Sequence, residues 1–160
     1  MAVAYYSTEV TAQNAEAHTP SKPSVLGGRK RYAYGTYETP TAGLADGSTV
    51  AMLRLPAGAR VTSLKVWFDD MGNSSEAADI GVAGVDGSGY YDLAKTSADD
   101  IEYFEADFAV SSAVAGTELI AAITDLGKEF DKEVYVTATV ETDAWAGDST
   151  VTFECEYVVD

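Results

Sequence analysis

The stretch Arg54-Leu-Pro-Ala-Gly-Ala-Arg-Val-Thr-Ser-Leu-Lys-Val-Trp-Phe-Asp-Asp-Met-Gly72, followed after a short polar segment by Asp79-Ile-Gly-Val-Ala-Gly-Val85, decides the fold. A strand ends at Leu55, Pro56 to Gly58 turn the chain, and a second strand starts at Val61. In that second strand Leu64, Val66 and Phe68 recur at period two, so they share one face. Beyond the polar segment Ile80 and Val82 alternate with Gly81 and Ala83, which lets a third strand pack its apolar face on the same interior. No nucleophile stands beside a base here, and no pair of metal ligands. This is architecture, and function has to be sought elsewhere in the chain.

Working outward, the same alternation recurs at 49–55, at 133–141 and at 149–159. Val134, Val136, Ala138 and Val140 interleave with Tyr135, Thr137 and Thr139; Val151, Phe153, Cys155 and Tyr157 interleave with Thr152, Glu154 and Glu156. The loop at 143–148 between these two runs predicts a hairpin with one wet face. Tyr32-Ala-Tyr-Gly-Thr-Tyr37 reads as a strand with a tyrosine face. Tyr90 to Leu93 reads as a short strand or an ordered loop, and Ile101 to Phe108 as an irregular strand or a helical turn. Over 117–126 strand is favoured over helix. Many short strands, turns rich in Gly and Asp, and no long amphipathic helix predict an all-β protein: an antiparallel β-sandwich, jelly-roll-like, over residues 29–160, with an extended N-terminal arm over residues 1–28.

The composition agrees. A chain of 160 residues and 16.9 kDa holds one domain with a sizeable core. Hydrophobic residues at 46% and charged ones at 22% place it among ordinary globular proteins. Ten Lys+Arg against 26 Asp+Glu give a net charge of -16, which repels phosphate backbones and excludes direct nucleic-acid binding as the expected role. The single Cys155 rules out an internal disulfide framework and fits a small core side chain. The N-terminus lacks the basic flank and apolar run of a signal peptide, and no apolar run approaches the roughly 18 residues of a membrane span. The expectation is a soluble protein made in a cytoplasm, with no membrane partner.

Residues 1–28 are rich in Ala, Thr, Ser, Asn and Glu and are interrupted by Pro20 and Pro23. They offer few apolar contacts, Tyr5, Tyr6, Val10 and Leu26 among them. Such a segment cannot bury enough surface to order itself and is expected to order against a partner. Arg29-Lys30-Arg31 is the one basic cluster, and it leads straight into Tyr32 and Tyr34. It is expected to pair with acidic groups of this chain or a neighbouring copy. The candidate partner-binding residues are therefore Tyr5, Tyr6, Val10, Leu26, Arg29, Arg31, Tyr32 and Tyr34.

Catalytic constellations do not assemble. His18 is the only histidine and lies in the arm, where no triad or metal site can be held in geometry. The acid pairs Asp69-Asp70 and Asp99-Asp100 could serve glycoside hydrolysis, but 26 acids supply such pairs by chance. The segment Asp86-Gly-Ser-Gly-Tyr-Tyr-Asp92 lacks the ligand alternation of a calcium loop, and Gly81 to Gly89 lack the helix and lysine of a phosphate loop. No enzyme and no cofactor are expected. Trp145, at a loop tip, is the best candidate for a sugar-stacking shelf, and Trp67 should cover the sheet face away from the core.

The motif Leu-Pro-Ala-Gly-Ala-Arg-Val at 55–61, then Met71-Gly72, Asp79-Ile-Gly-Val-Ala-Gly84 and the closing Glu156-Tyr-Val-Val-Asp160, resembles small virion structural proteins of tailed bacteriophages, of the head decoration or cement type. The resemblance covers 29–160 and leaves the arm outside. It implies a β-sandwich without catalysis that self-associates as a homo-oligomer, a trimer being one such state. It also implies docking on the major capsid protein at the capsid exterior of a virion assembled in the host cytoplasm. A tail or head-fibre component with a carbohydrate-binding sandwich is the alternative, and a lone carbohydrate-binding module a third.

Overall fold

The computed structural model describes residues 29–72, 75–85, 91–92, 95–96, 100–119 and 129–159. The expected arm, with His18, Tyr5, Tyr6, Val10 and Leu26, lies outside the described residues, as do 120–126 of the run 117–126. Ten strands follow in order: β1 Lys30–Glu38, β2 Thr49–Leu55, β3 Arg60–Phe68, β4 Ala77–Gly84, β5 Tyr91–Asp92, β6 Lys95–Thr96, β7 Asp100–Ala109, β8 Val114–Leu119, β9 Val134–Glu141 and β10 Thr150–Val158. Among the described residues there is no helix, and hence none long and apolar enough to cross a membrane.

Two four-stranded antiparallel sheets face each other, in the orders β1-β10-β3-β8 and β2-β9-β4-β7, with β5-β6 a separate ribbon. Early strands pair with late ones: β1 with β10, β2 with β9, β3 with β8, β4 with β7. That nesting is one long antiparallel ribbon, and rolling it over on itself adds the β10–β3 and β9–β4 ladders. The result is the jelly roll, and the fold class expected from alternation holds.

The ribbon also corrects one expectation. β9 and β10 are not a hairpin, because β9 lies between β2 and β4 while β10 lies between β1 and β3 in the opposite sheet. The 142–149 connection crosses from sheet to sheet. Nor is the outer side of β9 wet: Thr137 and Thr139 are buried there, shielded by the strands on both flanks, with the Thr139 hydroxyl 3.1 Å from that of Thr49. Ile101 to Phe108 belongs to β7, and its poor fit to either period has a cause: the β4–β7 register shifts twice.

The core lies between the sheets. Leu64, Val66, Phe68, Val151, Phe153 and Cys155 from the first sheet meet Leu55, Ile80, Val82, Val134, Val136 and Val140 from the second. Phe68 is the hub, its ring centroid 5.7 Å from Trp145, 5.9 Å from Phe108 and 6.1 Å from Phe153. Fully burying side chains of this size contributes roughly 1.5–3 kcal/mol each, which is what holds the two layers together. At one margin the sandwich closes tightly. Gly35 of β1 sits so close to β2 that a Cβ there would lie 2.3 Å from the Met52 carbonyl oxygen, so only glycine fits.

Candidate docking surface

The outer face of the first sheet is built by period two. On β1 the inward positions Ala33, Gly35 and Tyr37 pair with Cys155, Phe153 and Val151. Tyr32, Tyr34 and Thr36 therefore point outward, beside Glu156, Glu154 and Thr152 of β10. The rows continue onto β3, with Ser63 beside Glu156, Lys65 beside Glu154 and Trp67 beside Thr152. On β8, Glu118 stands opposite Lys65. The face is thus aromatic at the β1 margin and mixed in charge across its middle.

Its polar groups are tied together. Lys30 Nζ donates to Glu156 Oε2 at 2.6 Å, Ser63 Oγ donates to Glu118 Oε1 at 2.7 Å, and the Thr36 and Thr152 hydroxyls are 3.0 Å apart. Lys30 holds the Glu156 carboxyl below the usual range, first through this hydrogen bond and then through its charge. The Tyr32 hydroxyl is pushed up, first by loss of surrounding water and then by the hydrogen bond and charge of Glu154. Both tyrosines stay open all the same: Tyr32 is 58% and Tyr34 61% exposed, the exposed large hydrophobic side chains of the described residues.

Of the expected partner-binding residues, then, the structure brings Tyr32 and Tyr34 together on one face, and leaves Arg31 exposed near the start of the same strand and Arg29 exposed just before it. The expected intrachain pairing of the basic cluster is met by Lys30. Missed at the level of sequence were Lys65, Glu118 and Glu154, whose place on this face depends on which strands are neighbours.

The expected sugar shelf at Trp145 is overturned. Trp145 is 1% exposed, its ring meets Phe68 edge-on, and its Nε1 donates to the Ala77 carbonyl at 2.9 Å. The 142–149 connection crosses between the sheets, and that crossing folds the side chain inward. Trp67 does lie on the outer face, but it is half-buried, with Gly116 packed against its indole.

The acid pair Asp69-Asp70 serves as backbone acceptors, from Thr150 N at 2.8 Å and Gly72 N at 3.1 Å. A cleft of about 340 Å³ beside β4 and β7 is lined by Ser75, Glu76, Ala77, Asp107, Ala109, Ser111 and Thr142, a lining that sets no histidine beside its serines. Among the described residues no group of three or more His, Cys, Asp or Glu side chains is placed to hold a metal ion.

No family model and no curated protein sequence matches this chain. Solved structures do. A chain of the cyanophage Pam1 capsid asymmetric unit superposes with a TM-score of 0.59 at 16% identity, over 92% of this chain and 95% of that one. A chain of the capsid of Ralstonia phage GP4 gives a TM-score of 0.63 at 19% identity, over 83% of this chain and 86% of that one. Both neighbours belong to phage capsid structures. At these identities the likeness is one of fold, and it spans nearly the whole of each neighbour.

Proposed function

We propose that this chain is a non-enzymatic structural subunit of a phage virion, a decoration protein that binds the outer surface of the capsid shell and reinforces it. The observation that carries the reading is the outer face of the first sheet: two open tyrosines beside a hydrogen-bonded set of charges, on a fold shared with chains of phage capsid structures. Tyrosine supplies large contact area at small entropic cost and is enriched where proteins meet. A net charge of -16 suits the exterior, away from packaged DNA. The partner in this reading is the major capsid protein, with further copies of this chain around it, and residues 1–28 add contacts to the same shell. Modest contacts per copy, repeated by symmetry, sum to a large resistance to internal pressure. The glycan-binding alternative loses its main support with the burial of Trp145.

Particles assembled with Tyr32→Ala/Tyr34→Ala are expected to carry fewer copies of a chain that still folds, and to release DNA at a lower temperature than wild-type particles. Each tyrosine at the centre of such a contact is worth about 2 kcal/mol or more. Recovery of the protein on purified tails and its absence from DNA-filled heads would overturn the reading.

A further inference from the structure

Sheet edges expose unpaired backbone groups, and proteins blunt them with bulges, prolines, charges or cover. Among the described residues the two four-stranded sheets have four edge strands: β1, β8, β2 and β7. Three carry register breaks. The β8 ladder shifts between Val66 and Phe68, the β2 ladder between Ala51 and Leu53, and the β7 ladder on both sides of Ile80. β1 differs: it pairs with β10 without a shift from Lys30↔Val158 to Glu38↔Thr150. It has no proline, and its centre, Tyr32 to Tyr37, has no charge. It is the regular edge of the described sandwich; β2 approaches it from the inner side at Gly35 but is not its ladder partner.

The charges of β1 sit at its ends and have opposite signs, Lys30 and Arg31 at one and Glu38 at the other. We infer that β1 pairs antiparallel with β1 of a second copy, on a two-fold axis at Tyr34. Tyr34 is the midpoint of the strand, so this register sets Tyr34 against its own image and Lys30 against Glu38 of the second copy, twice. Outward residues then meet outward residues throughout, Tyr32 lying opposite Thr36. A slip by one residue would set outward side chains against inward ones. Shifting the axis to Ala33 or Gly35 keeps the faces but loses both ion pairs. The contact is isologous and self-complementary, and it joins two four-stranded sheets into one continuous sheet of eight. Main-chain hydrogen bonds along the strand supply affinity, and the end charges supply register. It also places the junction where a chain of net charge -16 is locally basic, at Arg29 to Arg31. The inference is independent of the capsid reading.

The test uses the full chain with Tyr34→Cys, since Tyr34 is open and Cys155 is buried with its thiol pushed up to about 12. Residues directly opposite each other across an antiparallel pair have Cα atoms about 4.5–5.5 Å apart, within disulfide range. Mild oxidation is therefore expected to give a disulfide dimer rapidly, whereas Lys65→Cys, out on the same face but two strands from the edge, does not. By sedimentation, Glu38→Lys is expected to weaken the wild-type dimer about tenfold, two attractions having become two repulsions, and Lys30→Glu/Glu38→Lys/Glu156→Lys to restore it, the third change keeping the pair that Lys30 makes with Glu156 within the chain. A wild-type chain that stays monomeric, a trimer in which the Tyr34→Cys variant crosslinks no faster than the Lys65→Cys variant, or a charge swap that fails to restore association would each overturn it.

Discussion

At the scale of single residues, the environments of Tyr34 and Cys155 follow from parity alone. They lie on neighbouring strands on opposite faces of one sheet, and one is open while the other is sealed. Burial is the main reason that the Cys155 thiol is pushed up to about 12, with the adjacent Glu156 charge adding to it. The sign of the linkage follows. Above the ordinary thiol value the unfolded chain ionises and the folded one does not, so this group withdraws stability as pH rises from there towards about 12. Cys155 is expected to react with a thiol reagent at about pH 8, just below the ordinary thiol value, only at the rate of unfolding, and denaturant is expected to release full labelling. Immediate labelling of the native protein would contradict its burial. Alternation in the sequence made this residue legible as core; nothing in the sequence made Gly35 legible, because the Met52 carbonyl that excludes a side chain there comes from the other sheet.

At the scale of elements, the sequence announces strands better than it announces their partners. Leu64, Val66 and Phe68 do line one face of β3, as read, and Val134, Val136, Ala138 and Val140 do line one face of β9. In β2 the simple period fails, because the register shifts at Met52, leaving Val50 and Leu53 both facing the core. The expected β9–β10 hairpin fails for a different reason. Alternation fixes which side of a strand is apolar, but a short polar loop can turn back within a sheet or cross to the facing one. Here the crossing is held by Trp145, whose backbone bridges Leu44 in both directions at 2.9 and 3.1 Å and whose indole reaches Ala77. Trp145→Phe keeps much of the packing on Phe68 and leaves the Ala77 carbonyl short of a donor. It is expected to cost about 1–3 kcal/mol in denaturant unfolding. Trp145→Ala is expected to cost about 3–5 kcal/mol, the range for emptying a core aromatic site. Equal, small losses for both would mean that the side chain is a surface group after all.

For the whole molecule, the decisive quantity is charge. With 26 acids against ten bases, repulsion acts over the entire surface, and one focus of it surrounds Glu141 at the end of β9. There the Glu141 carboxyl is raised, first by the charge of Asp79 and then by its own desolvation, with Asp46, Asp107 and Glu102 adding to it. A raised carboxyl binds its proton more tightly in the folded state, so its repulsion is fully present above its folded value and is relieved as pH falls through that value. Glu156 has the opposite sign: its pair with Lys30 contributes above the ordinary glutamate value and is lost as pH falls through its lowered one. Lowering the pH from neutrality should therefore first stabilise the protein through Glu141 and its neighbours, and only at lower pH destabilise it through pairs such as Lys30–Glu156. Salt should mimic the first effect. At about 0.15 M salt the screening length is about 8 Å and at about 1 M it is about 3 Å, so exposed carboxylates stop sensing one another. The melting temperature is expected to rise with NaCl at neutral pH. Glu141→Gln is expected to raise it at low salt, to matter less at high salt, and to lose its advantage once the pH falls below the raised Glu141 value. A melting temperature that falls with added NaCl would show that the described ion pairs Lys30–Glu156, Arg54–Glu133 and Arg60–Glu129 outweigh the repulsion around them.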